Sequence, residues 1–494
     1  MIKKNIIEPS APILVESLRA FGYSLETAIS DLIDNSISAS SDKVWLDFYW
    51  LGKDSKIVIM DNGLGIKPEQ INQVMKFGSQ SPDDKRENKD LGRFGLGLKT
   101  ASLSQSKRFT VCSKTDEIIC KTWDVDHIKK SNNWEVLDTV FNLELPYYQK
   151  INSLKHGTLV LWENMDKVVF DQWKVNSYKD ECKFIDLKKS VKQHLEMVFH
   201  RFLEGPNPQL TIYIDNKKIK PWDPFFEIHT STERTPEESI IVGKEIVKIK
   251  GFILPHKDRL TVEEFEKNKG IKGWTNQQGF YIYRNKRMLV AGSWLGLGDE
   301  NKIWTKEEQY KLARIRIDIP NTLDLDWDID VKKSKAKPPQ GLKSRIISLA
   351  QDVRSRAREV FAHRGQYKRR SSELVVESIW KSNLLDEKRN YFLDRKHSLI
   401  KQVLNNISDD KAFKALLTII EQTVPIERIW LETAEKPESH MRSFEDIKND
   451  EIYELAKEYY HSLTNIDNLS KEEAIKKILN TDGFRYYENI IKQL

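Results

Sequence analysis

A helical segment near the N-terminus carries the first residues that could do chemistry. Residues 24–39 repeat apolar side chains at helical spacing, and beside that stripe lie Asp31, Asp34, Asn35 and Ser38. This spacing puts a carboxylate and an amide oxygen on one face, about one turn apart. Such a pair could orient or deprotonate a water and ligate Mg²⁺ beside a phosphate. Taken alone, the pattern is better explained as the solvated face of an amphipathic helix.

A second polar element follows the apolar, strand-like run KIVIM. It is the segment DNGLGI, which contains Asp61, Gly63 and Gly65. Asp and Asn before Gly are common in turns, but the next residues have helical spacing, so a simple hairpin fits poorly. A carboxylate at a strand end, beside glycines that let the backbone approach a ligand, suits recognition of a purine amine.

A third element is the glycine-rich run GRFGLGLKTAS at residues 92–102, which leads into a predicted helix beginning near Gly97. Backbone N–H groups at a helix N-terminus bind phosphate, and Lys99 adds a positive charge. The spacing is not that of a P-loop, and no Rossmann-type strand directly precedes the run. On its own, this run is weak support for a phosphate site.

In order and spacing, these elements resemble the motifs of the GHKL ATPases, the family of gyrase, heat-shock chaperones, histidine kinases and MutL. The fourth motif of that family is matched by Gly157 and Thr158, ahead of another apolar strand. The resemblance covers approximately residues 10–165. It implies a Bergerat-type α/β sandwich that binds ATP and Mg²⁺.

The resemblance also implies a role for each matching residue. Asp31 stands where the family places its general base, usually Glu, and Asn35 matches the Mg²⁺ ligand. Asp61 matches the carboxylate that hydrogen-bonds the adenine amino group, helped through water by Thr158. The other expected nucleotide-binding positions, in the adenine pocket, the lid (78–98) and near the phosphates, are Gly63, Gly65, Gly92, Phe94, Gly95, Leu96, Gly97, Lys99 and Thr100. Because aspartate is one methylene shorter than glutamate, slow turnover is expected.

A second α/β unit is predicted downstream, and residues 279–298 resemble the transducer segment of MutL-like and Microrchidia (MORC)-like proteins. The loop LDWDIDVKKSK, residues 325–335, looks like the one that brings a lysine to the γ-phosphate. Lys335 is the first candidate and Lys333 the second. Such a lysine would stabilise transition-state charge and distinguish ATP from ADP. For either lysine alone, a basic turn before two prolines is nearly as good an explanation.

We therefore predict an α/β protein whose α/β sandwich and α/β transducer are followed by an all-helical C-terminal region. The predicted parts are an ATP-binding domain (1–170), a transducer domain (171–340), a basic helix and linker (341–373) and a helical domain (374–494). Residues 342–370 contain nine Lys or Arg but only two acidic residues. This block fits a phosphate-binding channel and a solvated helix face equally well.

Composition narrows the class of protein. With 39% hydrophobic and 31% charged residues over 494 positions, the chain is expected to be globular and cytoplasmic, without a membrane span or signal peptide. The net charge of +6 permits a nucleic-acid partner without requiring one. Three cysteines make a disulfide framework unexpected, and Cys112 and Cys120 are predicted to be buried free thiols.

The leading functional hypothesis is a slow ATPase that acts as an ATP-gated, dimerising clamp. The resemblance implies an ATP-dependent homodimer and suggests duplex DNA as the clamped partner, and analogy suggests a bacterial anti-phage or restriction system. The alternative is a nucleotide-switch or chaperone-like scaffold that hydrolyses little ATP and acts through a partner protein. A sensor kinase is not expected, because about 20 residues precede the first motif helix, too few for a phospho-acceptor helix.

Overall fold

The computed structural model describes residues 9–78, 97–139, 142–271, 273–299, 302–324, 326–330, 336–362, 379–385, 388–407, 410–435, 443–444, 446–481 and 483–494. These residues divide into two units. One runs to Pro255 and continues over Leu260–Arg358, and the other comprises His256–Arg259 and Glu359–Leu494. Across the described ranges, no helix is both long and apolar enough to cross a membrane.

The first sheet has eight strands among the described residues. They are β1 (Lys43–Tyr49), β2 (Lys56–Asp61), β3 (Arg108–Lys114), β4 (Ile118–Asp124), β5 (Leu137–Asp138), β6 (Gly157–Glu163), β7 (Thr211–Ile214) and β8 (Lys217–Lys218). Their order is β5-β4-β3-β6-β2-β1-β7-β8, and neighbouring strands are antiparallel except for the parallel pair β1–β7. The strand-like run KIVIM lies within β2, and the apolar strand expected at the fourth motif is β6.

Eight helices accompany this sheet in the described part of the chain. They are α1 (Ala11–Arg19), α2 (Leu25–Ser38), α3 (Pro68–Met75), α4 (Gly97–Gln105), α5 (Val125–Ser131), α6 (Pro146–Ser153), α7 (Tyr178–Val198) and α8 (His200–Leu203). Ser24 caps the N-terminus of α2, and its hydroxyl accepts a hydrogen bond from the Thr27 N–H. This capping is worth about 1 kcal/mol, and it fixes where the helix that carries Asp31 begins.

Strand β2 is buried on both faces because its side chains alternate between two cores. Ile57 and Ile59 pack in the larger core with apolar residues of α2, α4 and α7. Val58 and Met60 pack in a smaller core against the tyrosines of α6. The end of β2, at Asp61, is therefore held from both sides.

The second sheet belongs to the same unit. Its elements are β9 (Glu233–Arg234), β10 (Glu238–Val242), β11 (Glu245–Ile253), α9 (Val262–Asn268), β12 (Gly279–Arg284), β13 (Arg287–Ser293), the short pair β14 (Gly298–Asp299) and β15 (Lys302–Ile303), β16 (Ala313–Ile319) and α10 (Gln340–Ala362). The order is β10-β11-β16-β12-β13, with β9 on β11. The hairpin β12–β13 is the one that resembled a transducer in the sequence.

The C-terminal unit contains the predicted helices and one hairpin that the prediction missed. Its elements are β17 (Trp380–Leu385), β18 (Lys388–Leu393), α11 (Ser398–Asn406), α12 (Asp410–Gln422), α13 (Ile426–Glu435), α14 (Asn449–Asn465), α15 (Lys471–Leu479) and α16 (Glu488–Ile491). The expectation of helix throughout is thus wrong for β17 and β18. Trp380 pairs with Leu393 and Leu385 with Lys388, so β17 and β18 form a regular antiparallel ladder.

The cysteine prediction also needs correction. Cys112 on β3 and Cys120 on β4 are directly opposite each other in the antiparallel ladder, and they form a disulfide. Their Cα atoms are 4.1 Å apart, because opposite residues of such strands approach closely. The third cysteine, Cys182, is free.

Candidate nucleotide site

Asp61, at the end of β2, is where three of the sequence motifs meet. Its Oδ2 accepts a hydrogen bond of 2.8 Å from Ser36 Oγ of α2. Its Oδ1 accepts one of 2.9 Å from the Gly63 N–H and one of 3.3 Å from the N–H of Thr158, its neighbour across the β2–β6 ladder. Burial raises the pKa of Asp61, and these hydrogen bonds oppose that rise. A carboxylate has about four acceptor positions, so it can still accept a bond from a ligand amine.

Both glycines after Asp61 lie where a side chain would collide with the backbone. A Cβ on Gly63 would lie 2.9 Å from the Ala39 carbonyl oxygen. Gly65 has φ +72°, and a Cβ there would lie 2.5 Å from the Lys114 carbonyl oxygen. The loop therefore packs flat between α2 and β3, which requires glycine at both positions.

Two residues hold this loop that the sequence reasoning did not single out. Ser113 Oγ accepts a bond of 2.6 Å from the Ile66 N–H and lies 3.0 Å from the Ile66 carbonyl oxygen. His156 Nδ1 lies 2.5 Å from the Gly63 carbonyl oxygen. His156 directly precedes the fourth motif, which is the only signal in the sequence that points to it.

Asp31 is buried on α2, against the start of α4. The Tyr23 hydroxyl donates to Asp31 Oδ2 over 3.1 Å. A Cβ built on Gly97, the first residue of α4, would lie 4.0 Å from the same oxygen. Asn35, one turn further along α2, is exposed. The first and third motifs are thus adjacent, with a buried carboxylate and an exposed amide on one helix.

Asp34 shows that this face of α2 is not solvated. Its Oδ1 pairs with Arg287 Nε of β13 over 2.8 Å, and both side chains are almost fully buried. The Arg287 guanidinium also lies 4.6 Å from the ring centroid of Phe199. The interpretation of α2 as a solvated helix face is therefore wrong for Asp31 and Asp34. Arg287 is a partner that the sequence analysis missed.

Lys99 does not extend towards the carboxylates. Its ammonium donates to the Val74 and Lys76 carbonyl oxygens, over 2.7 and 2.9 Å, at the C-terminal end of α3. Burial lowers the pKa of Lys99 to about 8. Thr100, the next residue, is buried. Since the ammonium satisfies carbonyls at a helix end, its position gives Lys99 a role in fixing α3 beside the start of α4.

The predicted lid and lysine loop fall largely outside the described residues. This applies to Gly92, Phe94, Gly95, Leu96, Lys333 and Lys335. The described part of the lysine loop ends at Asp330. Burial raises the pKa of the Tyr23 hydroxyl, followed by the negative charges of Asp31 and, more weakly, Asp330. Asp330 is thus close enough for its charge to act on the Tyr23 hydroxyl.

Much of the basic charge on α10 is used within its own unit. Arg345 pairs with Glu238 over 2.5 Å and Arg356 with Glu233 over 3.0 Å. The third arginine, Arg354, is buried, and its guanidinium carbon lies 4.6, 4.7 and 3.7 Å from the ring centroids of Trp294, Trp304 and Tyr310. These three side chains fasten α10 to the second sheet and its neighbouring loops, while Lys343 and Arg358 are exposed.

Within the described ranges, no group of three His, Cys, Asp or Glu could hold a metal. Mg²⁺ commonly binds through one or two protein oxygens, waters and substrate phosphates. The exposed Asn35 amide beside the Asp31 carboxylate fits that mode of binding, in which a nucleotide supplies most of the ligands.

Comparison with known proteins agrees with this geometry. Residues 23–158 match the family described as histidine kinase-, DNA gyrase B-, and HSP90-like ATPase. "ATPase morc-1" of Caenorhabditis elegans is 20% identical over 289 residues, which are 50% of this chain and 32% of that protein. "ATPase MORC2B" of Mus musculus is 30% identical over 94 residues, 18% of this chain and 9% of that protein. The matched region thus spans less than a third of either relative. Residues 23–158, whose motifs lie around Asp31 and Asp61, thus match the GHKL ATPases, and the chain is similar to MORC ATPases.

Proposed function

We propose that this chain binds ATP together with Mg²⁺ and hydrolyses it slowly, with Asp61 binding adenine and Asp31 acting as general base. The observation that carries the proposal is the convergence of Ser36, Gly63 and Thr158 on the Asp61 carboxylate. Three separate donors would not be needed to stabilise a simple turn. Together they fix the direction of a buried acceptor, and the glycines leave room for a flat base to approach it.

The residues around Asp31 supply the groups that phosphate hydrolysis requires. Asp31 would accept a proton from the attacking water, and the N–H groups at the start of α4 would face the phosphates. Asn35 would hold Mg²⁺, which when bound neutralises phosphate charge. Because the aspartate is short and buried, the expected turnover is slow.

The test is Mg²⁺-dependent ATP binding and turnover by the wild type and two variants. Asp61→Asn should lose ATP binding, because its amide would present a donor to the adenine amine. Asp31→Ala should bind ATP but lose turnover by about 100-fold or more, the usual contribution of a general base. Asp54→Ala, at an exposed aspartate in the β1–β2 turn, is the matched control and should behave as the wild type. A wild type that does not bind ATP would refute the proposal.

We further propose that ATP closes the chain into a homodimeric clamp on duplex DNA, with Lys335 or Lys333 reaching the γ-phosphate. The buried pair of Asp34 and Arg287 supports this coupling, because it joins the helix that carries Asp31 to the transducer-like hairpin.

The clamp is tested by measuring oligomeric mass, which should double with a slowly hydrolysed ATP analogue. Turnover should rise with duplex DNA and fall for Lys335→Ala or Lys333→Ala. A mass that does not change on nucleotide binding contradicts the clamp. A place in anti-phage or restriction systems is the biological setting that we propose for it.

The second candidate function is a nucleotide switch that acts through a partner protein. The observation that favours it is the short Asp31 side chain, which is hydrogen-bonded by Tyr23 within the protein. Tight ATP binding with no turnover in either the wild type or Asp31→Ala would select this function over the ATPase.

A further inference from the structure

Tyr23 lies in the connection between α1 and α2 and reaches the predicted general base. Its side chain is 8% exposed, and its hydroxyl lies 3.1 Å from Asp31 Oδ2. The Tyr23 backbone is also fixed, because Gln105 Nε2 donates to its carbonyl oxygen over 3.1 Å. A ring held at both ends cannot turn its hydroxyl away from Asp31 without disturbing the core.

The protonation state of Tyr23 determines what it can give to Asp31. Burial, and then the Asp31 charge, raise the pKa of Tyr23 well above its usual range. The phenol therefore stays protonated at working pH and donates its hydrogen to the carboxylate. A side-chain interaction with Thr100 opposes that rise in the pKa of Tyr23. Tyr23 thus joins the α1–α2 connection to α2 through its hydroxyl and to α4 through its backbone carbonyl, which Gln105 holds.

We propose that Tyr23 is the positioning residue of the general base, holding the Asp31 carboxylate in the orientation that accepts the proton of the attacking water. This inference rests on the proposed ATPase function. The family usually has a longer glutamate at this position, whereas aspartate reaches less far and tolerates less angular error. A hydrogen bond to Oδ2 fixes the rotation of the carboxylate about its terminal bond, and so fixes the direction of Oδ1.

A role in packing is the competing explanation, because the Tyr23 ring belongs to the large core. Tyr23→Phe separates the two roles, since it keeps the ring and removes only the hydroxyl. Tyr147→Phe is the matched control, because Tyr147 is a buried tyrosine of α6 in the core on the other side of the sheet.

The experiment measures kcat, KM and equilibrium ATP affinity for the wild type, Tyr23→Phe, Tyr147→Phe, Asp31→Ala and the Tyr23→Phe/Asp31→Ala pair. We expect Tyr23→Phe to lower kcat about tenfold, which corresponds to an activation barrier higher by about 1.4 kcal/mol. ATP affinity should be unchanged. Tyr147→Phe should leave kcat unchanged. In the Asp31→Ala background, Tyr23→Phe should cause no further loss, because the two residues act as one unit.

The outcomes separate this inference from the proposed function. A wild type without ATP binding refutes the function itself. If the wild type hydrolyses ATP through Asp31 and Tyr23→Phe does so at the same rate, only the positioning role is refuted. A parallel fall in ATP affinity and kcat for Tyr23→Phe would also refute it, since a loss of fold or binding would then explain the result.

Discussion

Helices α2 and α10 both carry charged residues beside an apolar stripe, yet they use those charges in opposite ways. On α2, Asp31 and Asp34 are buried and each has a specific partner, Tyr23 or Arg287. On α10, Arg345 and Arg356 make partly exposed pairs with acids of the second sheet. The comparison shows that the number of charges on a helix says little about function, whereas burying a charge requires a specific partner.

The largest expected effect concerns the buried pair on α2. Arg287→Met should lower the free energy of unfolding by about 3–5 kcal/mol, because the Asp34 carboxylate stays buried without its main partner. Replacing both residues, with Asp34→Leu added, should recover part of that loss, since no charge then remains to be desolvated. Chemical denaturation measures both values.

The control for this first prediction is Arg345→Met on α10. Its exposed pair with Glu238 should contribute only about 0–1 kcal/mol. If Arg345→Met costs as much as Arg287→Met, the distinction between the two helices fails.

The second prediction concerns Arg354, the buried exception on α10. Arg354→Met should destabilise the protein by about 2 kcal/mol or somewhat more, because it removes a desolvated cation from three aromatic rings. It should leave duplex-DNA affinity unchanged, since the guanidinium is covered. Lys343→Gln and Arg358→Gln, at exposed positions of the same helix, should instead weaken any DNA binding and reduce its salt dependence. Salt titrations of DNA binding compare the three variants. If only Arg354→Met lost DNA affinity, Arg354 and not Lys343 or Arg358 would be the residue that contacts DNA.

The third prediction is a pH effect beside the α2 pair. Burial, followed by the Arg287 charge, lowers the pKa of His194 from 6.5 to about 4. Between pH 6.5 and about pH 4, the folded state thus binds fewer protons than the unfolded state. The contribution of neutral His194 to the free energy of unfolding should therefore be complete at neutral pH and be lost as the pH falls. Between pH 7 and pH 5 the loss should be roughly 1–2 kcal/mol.

Denaturation of wild type and His194→Gln at several pH values tests this effect. In the variant, the free energy of unfolding should change less between pH 7 and pH 5, because the His194 contribution is gone. Equal slopes for the two proteins would show that His194 does not titrate differently on folding.

Sequence predicted those parts of the molecule that depend on local pattern. The helix of Asp31, the strand ending at Asp61 and the start of α4 at Gly97 all follow from periodicity and glycine placement. That these three elements lie close together was predicted only from the family resemblance. In the structure they are close. The roles of Asp31 and Asn35 in hydrolysis stay predictions.

Contacts between distant residues could not be predicted in the same way. Arg287 is 253 positions from Asp34, and no local pattern links them. In the sequence, Tyr23 cannot be distinguished from an ordinary core residue. Its hydroxyl reaches Asp31 only once α1, α2 and α4 have packed together. The Cys112–Cys120 bond depends on the register of one hairpin, which the turn between its strands sets together with the apolar pattern.

The parallel pairing of β1 with β7 has a consequence for how this protein can be divided. Lys43 pairs with Thr211, so the sheet around the nucleotide site is completed by residues that follow the 21-residue helix α7. A chain cut after residue 170 would keep all four sequence motifs but leave the backbone of β1 as an open edge, which invites aggregation. Domain exchange with other ATPases should therefore succeed only with joints beyond β8. The nucleotide-binding part and the segment that follows it belong to one compact unit.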